Sequence, residues 1–396
     1  MLHLINRTII FVLAFILLSG CWGRREVNDI AIVAATGVDL VQNNLIRVTL
    51  LLAVPRLVGT SSSNDGGDSG LEATAGWVVS EEGETVTEVF QKLQKKLSRK
   101  IFFSHNRIIV IGESLAMHGM FPITDFFIRN RQSQLKSYVI VTKSEASDLL
   151  SYKPKFEKLV SEVIRGELKM NVGSSVQLSR FLAMLTDVGQ EAYAPLISIA
   201  PPQKWVANST SLMVSKGAAI FQEDRLIGWL NETETMALLW IRNEMKDGVV
   251  AVNVPEELGG GHVIGEISSV KSKISPIEGN GALKMAINIS SSLTIIENTT
   301  KLDLKSASNR KMLNRLFTDA VKKRVEMLCA KVQKKLHSDV FGFGQAIYQQ
   351  DPQSWNKYYS KNWSTLFPDI KVDILAKLKV VQTGLLEGGS TREDIK

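Results

Sequence analysis

The residue best placed to do chemistry is Cys21, one of two cysteines in a chain of 396 residues. It follows Leu18-Ser19-Gly20 at the end of an apolar run that starts at Thr8. A thiolate is nucleophilic enough to take up an alkyl group as a thioether near neutral pH. The two small residues before it let the backbone enter a peptidase site. This pattern predicts a lipid on the Cys21 sulfur and a cut just before that residue. Cys329 is then left without a partner for an internal disulfide, and no cysteines stand at metal-binding spacing.

The remaining reactive side chains do not converge. His3 lies in the leading segment, and His105, His118, His262 and His337 form no His-x-His or His-Glu-x-x-His pattern. There is no phosphate-binding loop and no Gly-x-Ser-x-Gly elbow. Ser104-His105-Asn106-Arg107, followed by Gly112-Glu113-Ser114, is the most site-like cluster. Adjacent residues of a strand point to opposite faces, so these read as loop and capping groups. Gly342-Phe343-Gly344 lacks the third glycine and the preceding strand of a dinucleotide site. Asp65 and Asp68 lack the spacing and closing glutamate of a calcium loop. The expectation is a chain with no catalytic residue, no cofactor and no metal.

The segment before Cys21 must deliver it to a membrane. Arg7 is its only charge, and the apolar run is shorter than the roughly 20 residues a spanning helix needs. A charged start, a short apolar stretch and small residues at the cut make residues 1–20 an export signal. Leu18-Ser19-Gly20-Cys21 resembles the bacterial lipobox, which implies S-diacylglycerol and an N-acyl group on Cys21. An uncleaved N-terminal anchor is the competing reading, but the sharply polar Trp22-Gly23-Arg24-Arg25-Glu26 favours a lipid. Two or more acyl chains anchor stably. The whole chain carries +7, and only Arg7 is lost with the signal. So modest a charge suits a neighbour of anionic headgroups and gives no support for nucleic-acid binding.

Behind the anchor the pattern alternates. Residues 30–38 and 45–54 read as strands around Gln42-Asn43-Asn44, and 59–70 as a Gly/Ser-rich loop. Thr85 and Glu88 cap a helix whose Val86, Val89, Phe90, Leu93 and Leu97 share one face. Its Lys92, Lys95, Lys96, Arg99 and Lys100 form either a membrane- or partner-facing patch or, more commonly, a solvated face. Strands are expected at 107–111 and 138–142, and helices at 124–129, 155–169 and 175–186. Pro195 and Pro201-Pro202 mark a boundary. A hairpin (217–221 and 226–230) and a helix from Thr233 to Met245 capped at Asn231 follow, then Gly259-Gly260-Gly261.

The last region offers strands at 266–276 and 282–296 and an amphipathic helix over 307–338. Short helices at 341–350 and 352–362 and a strand over 370–381 complete it. The expected class is α+β or mixed α/β, with several small domains: 1–20 signal, 21–200, 201–262 and 263–390. Cys329 lies beside the apolar stripe of the long helix and reads as a buried small residue.

Several blocks then fit one family. They are Cys21 to Asp29 running into Ile30–Asp39, and Ser104–Arg107 with Gly112–Ala116 and Phe126–Arg129. Gly217–Leu230 is another, and the last is Asp339-Val-Phe-Gly-Phe-Gly344 with Pro352, Trp355, Trp363, Phe367 and Thr383-Gly384. In this order they resemble the Ger(x)C family, the C-subunit lipoproteins of spore germinant receptors. Gly23 departs from the acidic or polar residue expected there, and loop 59–70 is unusually rich in Gly and Ser. The resemblance implies a three-domain lipoprotein on the outer face of the spore inner membrane, held through Cys21. It would act with A- and B-type integral membrane subunits and without catalysis. Trp229, Trp355 and Trp363 are expected in cores. The alternative is a solute-binding lipoprotein that captures the nutrient itself. A third possibility, a cell-wall enzyme, has no constellation to support it.

Overall fold

The structure is a computed structural model that describes residues 29–54, 75–130, 133–170, 174–205, 210–279 and 282–382. Cys21 with its preceding segment, the stretch Trp22 to Asn28, loop 59–70 and Thr383-Gly384 lie outside the described residues.

Strands β1 (Ile30–Leu40) and β2 (Ile46–Ala53) pair antiparallel. Asn43 and Asn44 turn between them at φ 60° and 56°, a left-handed conformation that asparagine tolerates. Strand β3 (Gly76–Gly83) adds to β2. Helix α1 (Val86–Lys96) then returns along the sheet. Its expected cap forms: Thr85 Oγ1 accepts from the Glu88 N–H at 3.2 Å, and Glu88 accepts from the Glu84 N–H at 2.9 Å. Strands β4 (Lys100–Phe102) and β5 (Ile108–Gly112) lie parallel to successive parts of β1.

Helices α2 (Glu113–His118) and α3 (Phe121–Arg129) lead to β6 (Tyr138–Thr142), parallel to β5. Helices α4 (Ala146–Leu150), α5 (Val160–Lys169) and α6 (Leu178–Thr186) precede β7 (Tyr193–Ala200). The helix expected from 155 starts only at Val160. Strands β8 (Leu212–Gln222) and β9 (Arg225–Leu230) form the expected hairpin and complete a nine-stranded mixed sheet, β3-β2-β1-β5-β6-β7-β8-β9 with β4 beside β1. Pro195 lies inside β7 rather than between elements. Strands β7 and β8 pair from Tyr193–Ile220 to Ala200–Leu212, so one sheet runs across position 200.

Helix α7 (Glu232–Ile241) carries a complete capping box between Asn231 and Glu234. A four-stranded sheet follows: β10 (Val249–Asn253), β11 (His262–Gly279), β12 (Ala282–Asn298) and, parallel to β12, β13 (Lys371–Gln382). Helix α8 (Ala307–Lys331) lies against it through Leu313, Phe317, Val321, Val325 and Leu328. The helix expected to reach 338 stops at Lys331, and a single π turn (Val332–Leu336) ends at His337, φ 53°. Helices α9 (Phe343–Gln350), α10 (Pro352–Ser354) and α11 (Trp363–Leu366) fill the gap before β13.

Strand alternation distributes the core. In β5, Ile109 and Ile111 face a core shared with the four-stranded sheet, while Ile108 and Val110 face a second core under α4 and α5. The first sheet is thus covered on both faces.

Candidate functional site

The motif residues meet in two carboxylate cradles. Asp39, near the end of β1, accepts the backbone N–H groups of Ala146 at 2.6 Å and Ser147 at 3.1 Å. These are donors that the first turn of α4 leaves without helical partners. Gly112 makes the approach possible, because a Cβ there would stand 2.1 Å from Asp39 Oδ1. Burial pushes the Asp39 carboxyl up to about 6 against the pull of both N–H bonds.

The second cradle is deeper. Asp339 Oδ1 accepts from the backbone N–H of Gly342 and of Phe343, both at 3.0 Å. Its Oδ2 accepts from Gly344 at 2.8 Å and from the Trp363 indole at 3.0 Å. Burial raises this carboxyl to about 6 as well, opposed by the same donors. The Asp339 carbonyl takes the Glu191 N–H at 3.0 Å, and the Gly189 carbonyl takes the Gln345 N–H at 2.7 Å. Gly189 adopts φ 72°, and a Cβ on it would lie 2.4 Å from the Gly344 carbonyl carbon. A Cβ on Gly344 would meet the Trp355 ring at 2.6 Å. Two glycines thus let the segment before β7 touch the first turn of α9. Asp187 accepts from Gln190 and Gln345, and Ser338 donates to the Phe221 carbonyl at 2.7 Å.

A charged knot lies beside this junction. Arg242 donates to Glu244 at 3.0 Å and to the Val340 carbonyl at 2.7 Å, and its guanidinium sits over the Tyr193 ring. Arg180 reaches Glu244 at 2.9 Å, and the Tyr193 hydroxyl donates to the same carboxylate. Burial alone would raise Glu244, but Arg242, Tyr193 and Arg180 hold it below its ordinary value. A cleft of about 600 Å³ opens past the knot, lined by Tyr138, Gln177, Arg180, Arg242 and Lys246. Another, of about 410 Å³, lies by Trp355 and Trp363 and includes Glu191. Burial carries the Glu191 carboxyl to about 7, despite the Glu223 N–H it accepts at 2.6 Å.

The other motif residues are also tied into packing. His105 is exposed, whereas Asn106 is buried and its carbonyl accepts from the Ser137 hydroxyl at 2.5 Å. The Trp229 indole donates to Glu113 at 3.1 Å, joining two motif blocks, and Lys331 bonds the Trp229 carbonyl at 3.0 Å. Trp355 is buried as expected. Trp229 and Trp363 are only half-buried, with their indole N–H groups on Glu113 and Asp339 respectively. Cys329 is buried on α8 and burial pushes its thiol up to about 12. Among the described residues no three His, Cys, Asp or Glu side chains gather to hold a metal ion. Sequence reasoning missed Gly189, Arg242 and Glu244, and named Asp39 only as the end of a motif block. It quoted Asp339 without its role, although an aspartate three residues before a Gly-x-Gly turn is a capping signal.

Two family models match in succession. One of the spore germination protein N-terminal domain covers residues 23–199, and one described as spore germination B3/GerAC-like, C-terminal, covers 216–384. YfkR of Bacillus subtilis is 29% identical over 96% of this chain and 97% of its own length. Spore germination protein KC of the same organism is 23% identical, over 95% of each chain. The crystal structure of the GerBC protein shares the fold at TM-score 0.56 and 18% identity, covering 88% of this chain and 97% of that one. The two cradles and the junction are therefore the scaffold of a spore germination protein, and the chain belongs to the Ger(x)C family.

Proposed function

We propose that this chain is the lipid-anchored, non-enzymatic subunit of a spore nutrient germinant receptor, attached through Cys21 to the outer face of the spore inner membrane. It acts there with A- and B-type integral membrane subunits, and nutrient-triggered germination requires it. The observation that carries this reading is that the family's motif side chains are spent on holding one body together. Asp339, Gly344, Trp355, Trp363 and Trp229 are engaged in capping, close packing and hydrogen bonds. We further infer that the sequence modules 21–200, 201–262 and 263–390 move together, since the first sheet crosses position 200 and residues 189–191 bond the 339–345 segment.

The test is Cys21→Ala at the native locus. The expected result is loss of the protein from the spore membrane fraction and a sharp drop in nutrient-triggered germination, followed by optical density. A variant that germinates at the normal rate would overturn the anchor's role. The second reading, direct capture of nutrient, draws on the cleft of about 600 Å³ beside Arg180 and Lys246. Calorimetric titration of the mature chain with amino acids and sugars decides it, because tight binding would favour capture over a purely structural subunit.

A further inference from the structure

The anchor and the sheet constrain each other. Strand β1 begins at Ile30, and the nine peptide steps from Cys21 reach at most about 30 Å when fully extended. The start of β1 is therefore tied to within about 30 Å of the lipid. It pairs with β4, Ile30 opposite Lys100, and the last turn of α1 ends beside it. This corner is cationic. Lys95, Arg99 and Lys100 are exposed and make no ion pair among the described residues, while Lys96 is paired with Glu81. The connecting stretch holds Arg24 and Arg25 but also Glu26 and Asp29, so it adds no net charge and the cations of the corner are those of α1 and β4. Asp29 is the carboxylate nearest along the chain, and the acidic groups Asp187, Glu191 and Glu223 line the cleft by Trp355 instead.

We propose that the corner made by the end of α1 and the start of β4 docks on anionic lipid headgroups, fixing how the protein stands on the membrane. The inference rests on Cys21 carrying the lipid. Side chains at such a surface each contribute about fivefold to partitioning, so three of them act as a second attachment that orients the first. An acyl anchor alone leaves the body free to roll, whereas a cationic corner beside it selects one face.

The experiment uses the mature chain from position 21 with Cys21→Ser, so that no acyl chain contributes. It is sedimented with vesicles of phosphatidylglycerol and phosphatidylcholine, or of phosphatidylcholine alone. The expected result is binding to the anionic vesicles only, abolished by high salt. Replacing Lys95→Glu, Arg99→Glu and Lys100→Glu together should weaken it at least about tenfold. A control with the same charge change, Lys311→Glu, Lys323→Glu and Lys335→Glu on α8 and the π turn after it, should keep most of the binding. If the Glu triple does not fold, the corresponding Gln triple replaces it. Equal binding to both vesicles, or an equal loss in the control, would overturn the proposal. Mass analysis of Cys21 from spore membranes reads the anchor separately. A lipidated protein whose mature chain ignores anionic vesicles would sink the docking and leave the anchor standing.

Discussion

The two sheets solve the same problem in opposite ways. In the nine-stranded sheet, β1 is buried along nearly its whole length because helices or the second sheet lie on both faces. In the four-stranded sheet, β13 alternates, with Leu375 65% exposed on the side away from α8. The first sheet is locked between layers, and the second keeps one face open. The outer edge of β13 is guarded differently. Thr318 and Asn314 of α8 accept the Leu378 and Val380 N–H groups at 3.0 and 2.7 Å, which blunts an edge that could otherwise pair. Rigidity is therefore concentrated in the first sheet and at the junction, and accessibility in the second.

The largest effect should come from forcing the junction apart. Gly344→Leu places side-chain atoms where Trp355 and Gly189 already stand. It should destabilise the whole chain by more than about 3 kcal/mol in urea unfolding, with one transition. A variant that melts in two steps would mean that the two sheets are independent. The cradles sharpen the same contrast. Asp339→Ala strands three backbone donors and an indole and should cost about 3 kcal/mol. Asp39→Ala strands two donors at a helix start and should cost about 1–2 kcal/mol. Equal losses would show that the junction is no more critical than a local cap.

A pH effect comes next. The folded Glu191 carboxyl lies near 7, above its ordinary 4.5, so the folded state holds this proton more tightly than the unfolded chain. Its stabilising contribution is full below about 4.5 and is lost as pH rises through 7. Asp39 and Asp339 act in the same sense between 3.8 and about 6. The melting temperature should fall from pH 5 to pH 8, and Glu191→Gln, which still accepts the Glu223 N–H, should flatten the upper part of that fall. A profile unchanged by the substitution would remove Glu191 from the account. The smallest effect belongs to the open face. Leu375→Ser should change stability by less than about 0.5 kcal/mol, and a larger loss would mean that this face is less open than its exposure indicates.

Much of this fold was legible because it is local. The β1–β2 turn at Asn43, the Thr85 and Asn231 caps, the β8–β9 hairpin and the stripe of α8 each follow from residues within one or two turns of each other. What was not legible joins residues distant in sequence. Nothing near Gly189 announces that Gly344 will press against it, and nothing near Asp39 points to Ala146. The same reason explains the prolines: Pro195 reads as punctuation, yet β7 continues through it because β8 arrives to pair. The candidate site was legible as a set of residue blocks, while its meaning as a set of mutual supports required the third dimension.

The meeting of Gly189 with Gly344 also sets an order of assembly. The segment before β7 cannot reach its final packing until the stretch from Ser338 to Gln345 has been made and delivered. Contacts between such distant parts close late and slowly, after the local hairpins and helices have formed. A chain cut short before Asp339 would therefore carry its defect far from the cut, as an unfinished surface around Phe221 and Glu191. Completeness of the last third is checked, in effect, by the middle one.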